Sequence, residues 1–311
     1  MTVESHALNE VGDHDLGLAH DLKTMEAQIM ARRRALVLMA SAGTVGFLAA
    51  CGSGSSGGTT TTSSTGSTST TGSTSTTSTT STTSTTSGGS TACTVPATET
   101  AGPYPADGTN TAAAGAPTSN ALTVSGIVRS DIRPNFISST TVATGTVLTI
   151  TLTVVNANAA CAPLAGYAVY LWHCDRSGAY SLYDLPTQSY LRGVQVTNAS
   201  GQVTFTTIVP GCYAGRYPHM HFEVFSSLAN ATSGRFAVLT SQLAIPAAVC
   251  SAVYADATLY PNSASRFASV SLTSDGIFGD NSSAQMAVMT PTFSGSVAAG
   301  YTATTTVGIA V

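Results

Sequence analysis

The sequence predicts an all-β domain, most simply a β-sandwich with long loops, for residues 93–311. This part of the chain contains short runs rich in Val, Ile, Thr and aromatic residues, in which apolar and polar side chains alternate. Gly, Pro, Asn and Asp separate the runs, and no segment shows a helical stripe of any length. The five clearest runs are TGTVLTITLTVV, GYAVYLWHC, GQVTFTTIV, HMHFEVF and YTATTTVGIAV. We expect the loops between them to carry the chemistry.

Residues 1–50 have the pattern of an export signal. Three arginines, Arg32–Arg34, precede an apolar run that ends at Ala50, and they resemble a twin-arginine signal. The run is shorter than the roughly 20 residues that a spanning helix needs, which disfavours a permanent transmembrane anchor. The letters LAAC, ending at Cys51, resemble a bacterial lipobox that would leave Cys51 lipidated. Cleavage near Ala50 without a lipid is the alternative.

Residues 51–92 are predicted to be a flexible tether. Every residue from Gly52 to Thr91 is Gly, Ser or Thr, so the segment has no apolar side chain to bury. Such a chain has a root-mean-square reach of about 35 Å. The sequence therefore predicts an exported protein on the outer side of the cytoplasmic membrane, in the periplasm or at the cell surface, whose only membrane contact is a lipid at Cys51.

Charge and cysteine content limit the function of residues 93–311. This domain has seven Arg, no Lys and nine acidic residues without a basic cluster, which argues against nucleic acid as a partner. It has five cysteines, an odd number in a compartment where disulfides form, and their spacing leaves the pairing open. No Cys-x-x-Cys motif is present, so a zinc ribbon or a thioredoxin-type site is not supported.

The stretch PGCYAGRYPHMHFEVF contains the strongest functional signal. On a strand, side chains two residues apart point to one face, so His219 and His221 would present adjacent imidazoles. Such a pair can be a simple surface feature. Tyr213, however, follows Pro210-Gly211 and precedes Gly215, and a turn there would fold its phenol towards the imidazoles. The pattern favours a metal site.

These residues lie in a longer resemblance to the intradiol ring-cleavage dioxygenases, in particular to their exported branch. It is carried by GAYSLYD, YLRGVQVTNASGQVTFTTIVPGCYAGRYPHMHF and LTSQL, together with TETAGPYP, RSDIR, LWHCD and SDGIF, and covers residues 93–278. The resemblance implies the β-sandwich of that family and one non-haem Fe(III) per chain. It implies that the metal ligands are Tyr180, Tyr213, His219 and His221.

The chemistry of this set agrees with the implied metal. Ferric iron is a hard cation and phenolate oxygen is a hard anionic donor, whereas zinc more commonly takes Cys, His or carboxylate ligands. The resemblance implies that a catechol displaces Tyr213 and a bound hydroxide, which take up its two phenolic protons. With O₂, the ring would then open between the hydroxylated carbons to give a muconate-type diacid.

Two further residues match the family pattern. Arg216 would stabilise charge that develops on the ring and oxygen, and Gln242 would hydrogen-bond within the ligand shell. A surface arginine paired with a carboxylate and a strand-edge glutamine are the alternatives. His173 is expected to be structural, Tyr104 to contact substrate or anchor a turn, and Asp131 and Arg133 to form an ion pair without a catalytic role.

Cys212 and Cys250 depart from the family pattern. If they are bridged, they stiffen the loop that bears Tyr213, and if they are free, Cys212 is an oxidisable group close to the metal. A different class of function also stays open, namely a lipid-tethered β-sandwich that binds a partner and has an inactive site. A hydrolase finds no support, because residues 93–311 contain no G-x-S-x-G or comparable nucleophile element.

Overall fold

The computed structural model describes residues 94–311. The predicted export signal at 1–50 and the tether at 51–92, with the lipidation site at Cys51, lie outside the described residues and stay predictions. None of the helices within 94–311 is long and apolar enough to span a membrane.

Nine strands and three short α-helices form the domain. The strands are β1 (Val147–Asn156), β2 (Ala162–Pro163), β3 (Ala168–Trp172), β4 (Arg192–Val196), β5 (Gln202–Ile208), β6 (His219–Phe225), β7 (Leu239–Ala244), β8 (Thr292–Ser296) and β9 (Gly300–Ile309). The helices are α1 (Ala247–Val253), α2 (Ser263–Phe267) and α3 (Ser283–Met289). Three single 3₁₀ turns lie at Ala121–Thr123, Leu228–Asn230 and Gly234–Phe236.

The strands form two sheets, so the predicted all-β sandwich is confirmed. The first sheet has the order β2-β1-β9-β8, and β5 also pairs with β1. In this sheet β1 and β9 run parallel, and the other pairs are antiparallel. The second sheet has the order β4-β3-β6-β7 and is antiparallel throughout. The five runs singled out in the sequence correspond to β1, β3, β5, β6 and β9.

The core between the sheets follows from the two-residue period of the strands. On β1, Leu148, Ile150 and Leu152 are fully buried, while the threonines between them are partly exposed. On β6 the core residues are Met220, Phe222 and Val224. Alternate residues therefore fill the space between the sheets, as the pleat of a strand requires.

Strand β6 differs from β1 because all seven of its residues are buried. Its odd-numbered residues, His219, His221 and Glu223 among them, point away from the sandwich core. They are buried because long loops cover this outer face of the second sheet. A third layer, built from irregular chain, therefore creates an enclosed polar region on a rigid strand.

The cysteines settle one alternative that the sequence left open. Cys174, Cys212 and Cys250 are free and buried, whereas Cys161 is disulfide-bonded. The thiols of Cys212 and Cys250 point to different backbone carbonyls, those of Tyr213 and Arg216 for the first and that of Ile245 for the second. The Cys212–Cys250 bridge is therefore excluded, so the loop that bears Tyr213 is held without this crosslink.

The alternation on β1 gives a direct test of the core. We expect Leu152→Ala to lower the free energy of unfolding by about 2–5 kcal/mol, because it leaves a cavity between the sheets. Thr153→Ala, on the opposite face of the same strand, should change it by less than about 0.5 kcal/mol. Urea denaturation of both variants measures the difference. Equal losses would contradict the assignment of the two faces.

Candidate metal centre

The candidate site lies on the outer face of the second sheet. The pairing of β6 with its two neighbouring strands determines which side chains surround His221. His221 on β6 is paired with Trp172 on β3 and with Gln242 on β7. The indole of Trp172 stacks on the imidazole of His221, with ring centroids 5.0 Å apart and an angle of 9° between the planes. His219 lies one step along the same face, and its ring centroid is 4.8 Å from that of His221.

Three donor atoms converge at this point. The Nε2 atoms of His219 and His221 are 3.1 Å apart, and the Tyr213 hydroxyl oxygen is 3.2 Å from Nε2 of His219. Two ligand atoms that each lie about 2.1 Å from one metal ion are separated by about 3 Å when the bonds are near a right angle. The spacing of the three atoms is therefore that of neighbouring ligands around one ion.

The two imidazoles have the form that binds a metal. Nδ1 of His219 lies 2.5 Å from the carbonyl oxygen of Tyr217, so this nitrogen carries the proton and Nε2 keeps its lone pair. Burial lowers the pKa of His219 well below its usual value, and the positive charge of Arg216 lowers it further. The pKa of His221 is also far below normal, first because of burial and then because of His219. Both rings are neutral at pH 7.

Tyr180 completes the set from the loop after β3. Its ring centroid is 5.9 Å from that of Tyr213 and 6.3 Å from that of His221. The side chain is 1% exposed, and its hydroxyl makes no hydrogen bond of ordinary geometry among the described residues, although it lies close enough to the Tyr213 hydroxyl for the two to interact. Buried phenols with so few partners are costly, and a bound metal ion would satisfy them. The structure therefore brings together all four residues that the sequence singled out as ligands.

The donor set fits ferric iron better than zinc. Within residues 94–311, no group of three or more His, Cys, Asp or Glu side chains could hold a metal. The candidate set instead has two phenols, and burial raises the pKa of Tyr213 to about 12 despite the opposing charge of Arg216. A cation that replaces the phenolic protons would relieve this penalty. A hard trivalent ion does so most effectively, since it binds phenolate strongly.

Arg216 lies beside the four residues and is fixed by hydrogen bonds. Its Nε donates to Asp275 at 2.9 Å, and an Nη2 hydrogen bond of 2.8 Å reaches the side-chain oxygen of Gln242. The amide nitrogen of Gln242 donates in turn to the carbonyl of Thr100. Arg216 is 3% exposed, so the surface alternative for this residue is wrong, although it does pair with a carboxylate.

Asp275 is the residue that the sequence reasoning missed. Burial alone would raise the pKa of its carboxyl group, but Arg216 holds that pKa below the usual value. It also accepts hydrogen bonds from the backbone N–H groups of Tyr217, Ile277 and Phe278. Asp275 belongs to the SDGIF motif, which was part of the family resemblance. An acidic residue in a domain with few charges could have indicated that it has a specific partner. Its arginine partner lies 59 residues away and was not visible in the sequence.

The loop before β1 that contains Gly102 and Tyr104 covers the two imidazoles and Tyr180. Gly102 has a φ of +72°, and a Cβ atom there would lie 3.2 Å from Cε1 of His221. The Tyr104 ring packs on those of Tyr180 and Tyr183, at centroid distances of 4.8 and 5.1 Å. The substrate-or-anchor alternatives for Tyr104 therefore both stay open, because it forms part of the wall and also packs on Tyr180.

The remaining residues that the sequence weighed lie outside the centre. His173 is buried between the carbonyl of Cys174 and the hydroxyl of Thr207, at 2.8 and 2.7 Å, and burial lowers its pKa to about 4. This is the expected structural role. Asp131 and Arg133 form a partly exposed ion pair of 2.7 Å. The sequence did not suggest one buried pair of carboxyl groups. Glu223, further along β6, contacts Asp107 from the loop before β1.

The chain is similar to known dioxygenases over part of its length. A family model described as Dioxygenase matches residues 131–239, the range that includes all four candidate ligands. An intradiol ring-cleavage dioxygenase from Tetranychus urticae is similar, with 26% identity, a TM-score of 0.46, and coverage of 59% of this chain and 87% of its own. The dioxygenase domain of a carbohydrate-binding fusion protein from Streptomyces sp. SirexAA-E has 26% identity, coverage of 59% and 88%, and a TM-score of 0.39.

A hydroxyquinol 1,2-dioxygenase from Pseudomonas putida DLL-E4 is similar at 16% identity, with 60% of this chain and 63% of its own covered and a TM-score of 0.38. No curated protein sequence matches the chain significantly. The family match lies inside the longer range, 93–278, over which the sequence resembled intradiol dioxygenases.

The Arg216–Asp275 pair gives a test that needs no metal. Asp275→Asn removes the partner of a buried cation, and we expect the free energy of unfolding to fall by about 3–5 kcal/mol. Asp131→Asn, which breaks the partly exposed pair with Arg133, should cost less than about 1 kcal/mol. Chemical denaturation of both variants at pH 7 measures this contrast. Similar small losses would show that the buried pair does not hold the 275–278 loop.

Proposed function

We propose that this protein is a non-haem Fe(III)-dependent intradiol dioxygenase, which cleaves a catechol between its two hydroxylated carbons to a muconate-type diacid. The observation that carries the proposal is the convergence of two phenols and two neutral imidazoles at one buried point. The dioxygenase family match over residues 131–239 supports it, since it includes every member of this set. The alternative, a binding module with an inactive site, gives no role to the buried grouping of Tyr180 and Tyr213 with two neutral imidazoles.

Tyr180, Tyr213, His219 and His221 would hold one ferric ion per chain. Bound there, ferric iron would chelate the two oxygens of a catecholate and draw electron density from its ring, which makes the ring reactive towards O₂. The protein orients the ligands, keeps bulk water from them and supplies the groups that accept protons.

The two tyrosines would have different tasks because their surroundings differ. Tyr180 is 1% exposed and enclosed by aromatic rings, so it has no path by which to move away. Tyr213 is partly exposed and is followed by the exposed residues Ala214 and Gly215. It can therefore swing out when substrate enters, and its phenolate would take up one of the two catechol protons.

Arg216 would act through its fixed charge. Its guanidinium is buried beside the ligands, and Asp275 with Gln242 prevents it from turning away. A cation held in a site of low polarity stabilises negative charge that develops on the ring and the attacking oxygen. Gln242 would be a positioning residue, since its two described side-chain hydrogen bonds join Arg216 to the 94–104 loop.

The cations of the domain also favour one class of substrate. Three arginines around the site are all engaged: Arg192 donates to Ser181 and to the carbonyl of Pro105, Arg216 pairs with Asp275, and Arg266 donates to the backbone carbonyls of Ser177 and Cys212. Residues 94–311 contain no lysine. A substrate carboxylate would therefore lack a free cation partner in the described part of the site, and its desolvation would go uncompensated. An uncharged catechol fits this site better.

The export route remains part of the proposal. The leader and the Gly/Ser/Thr tether support secretion with a lipid at Cys51, which would place the catalytic domain outside the cytoplasmic membrane, in the periplasm or at the cell surface. The partners would be a catechol and O₂, and no nucleic acid.

Replacing the two kinds of ligand separates catalysis from metal binding. Wild-type protein should contain about one iron per chain and absorb visible light, because tyrosinate transfers charge to Fe(III). Tyr213→Phe should keep much of its iron but lose about 10²- to 10⁴-fold in catechol cleavage, the usual value of general-base assistance. His221→Ala should lose the metal. Elemental analysis, the visible spectrum and oxygen uptake measure these outcomes. Stoichiometric zinc in colourless wild-type protein would refute the proposal.

Substrate charge is tested with three ring compounds on the iron-loaded protein. We expect catechol and hydroxyquinol to be cleaved with kcat/KM at least about tenfold above that for protocatechuate, since a buried carboxylate without a partner costs more than 1.4 kcal/mol. Oxygen uptake and product analysis give the ratios. A preference for protocatechuate would show that a cation does reach the substrate.

A further inference from the structure

The turn that carries Tyr213 is held by a segment outside the matched dioxygenase range. The hydroxyls of Tyr260 and Tyr254 donate to the carbonyls of Val209 and Pro210, at 2.9 and 2.8 Å. Both tyrosines lie in residues 254–266, beyond residue 239 where the family match ends. The two carbonyls therefore have side-chain donors from a region to which the family match assigns no role.

Helix α2 then fixes the backbone of the residue next to Tyr213. The N–H of Cys212 donates to the hydroxyl of Ser263 at 3.1 Å, and the carbonyl of Cys212 accepts from Nη1 of Arg266 at 3.2 Å. Ser263 is fully buried. Because one polar group of each peptide unit that flanks Cys212 is bonded to α2, this helix determines the direction in which the chain enters Tyr213.

The same nitrogen of Arg266 also reaches the loop that bears Tyr180. Nη1 donates to the carbonyl of Ser177 at 3.0 Å, three residues before Tyr180. A Cβ atom on Gly178, whose φ is +88°, would lie 2.9 Å from Cβ of Tyr213 and 3.3 Å from Nη1 of Arg266. The two tyrosine-bearing loops thus touch each other at the point where Arg266 bridges them.

Arg266 has no other described task. The two described side-chain hydrogen bonds of Arg266 go to backbone carbonyls, and neither the Arg133–Asp131 nor the Arg216–Asp275 ion pair includes it. The hydroxyl of Tyr180 interacts with that of Tyr213 but makes no hydrogen bond of ordinary geometry among the described residues, so no such bond fixes it in place. The spacing of the two phenols then depends on how their loops are held.

We propose that Arg266 and Ser263 are positioning residues that hold the two tyrosine-bearing loops so that both phenols face the imidazoles. Arg266 sets the separation of the loops, and Ser263 sets the entry of the chain into Tyr213. The catalytic consequence of this inference rests on the proposed function. The hydrogen bonds of Arg266 and Ser263 to the two loops, called the loop clamp below, are present in the metal-free protein. Small displacements matter here, since about 1 Å of misplacement can cost about 10²-fold in rate.

The first experiment compares Arg266→Met with Arg266→Lys in the iron-loaded protein. Arg266→Met should lower kcat for catechol by about 10- to 10²-fold with little change in KM, and should shift the visible tyrosinate band. Arg266→Lys should restore much of the loss, because an ammonium group can donate to both carbonyls. Arg235→Met, at an exposed arginine, is the matched control and should behave as wild type. A wild-type kcat and band in Arg266→Met would overturn the proposal.

The second experiment uses metal-free protein, so that it does not depend on activity. Hydrogen exchange measured by mass spectrometry should show faster exchange in peptides covering residues 210–216 and 176–181 for Arg266→Met. For Ser263→Ala, which keeps the arginine, the increase should be confined to 210–216. Ser265→Ala is the matched control, because the described hydrogen bond of the Ser265 hydroxyl goes to the carbonyl of Asn262, the residue just before the same helix.

The two experiments fail in distinguishable ways. Wild-type protein that takes up no iron and cleaves no catechol would refute the proposed function. The exchange data would still show whether Arg266 and Ser263 hold the two loops. Unchanged exchange at 210–216 in both Arg266→Met and Ser263→Ala would refute the loop clamp, even in an active dioxygenase. If Arg266→Met does not fold, Ser263→Ala with its control carries the same test for the Tyr213 turn.

Discussion

The site depends on one constraint, the burial of β6 on both of its faces. A strand places alternate side chains on opposite sides, so the residues that fill the sandwich core also determine where the histidines point. A slip of one residue in the register of β6 would send His219 and His221 into the core and Met220 to the outer face. The hydrophobic core therefore fixes the orientation of the two imidazoles, and Trp172 stacks on one of them to hold its ring.

The loops over the outer face supply what a single strand cannot. They bring Tyr180 and Tyr213 from different parts of the chain and exclude water, which is why the phenols and imidazoles have strongly shifted pKa values. Such an arrangement is costly in the metal-free protein, since neutral polar groups are buried with few partners. The binding of a hard cation would recover part of that cost, so that folding and metal binding favour each other.

Charges in this region are held by hydrogen bonds that reach across the domain. Arg216 pairs with Asp275, and Arg266 joins two loops through backbone carbonyls. A buried ion pair contributes little net stability, but it leaves few alternative positions for either partner. These arginines thus contribute more to the precision of the site than to the stability of the fold.

The sequence by itself determined the all-β class, five of the nine described strands and the placement of His219 and His221 on one face, because period-two alternation and the H-x-H spacing are local patterns that the pleat of a strand converts directly into geometry. Tyr180 entered the candidate ligand set only through the family resemblance. Only the tertiary structure decided that Cys212 and Cys250 are not bridged, that Asp275 holds Arg216, and that α2 anchors the turn before Tyr213. The contacts of Asp275 and of α2 join residues about 50 to 60 positions apart through irregular loops, where no periodicity relates a side chain to its partner.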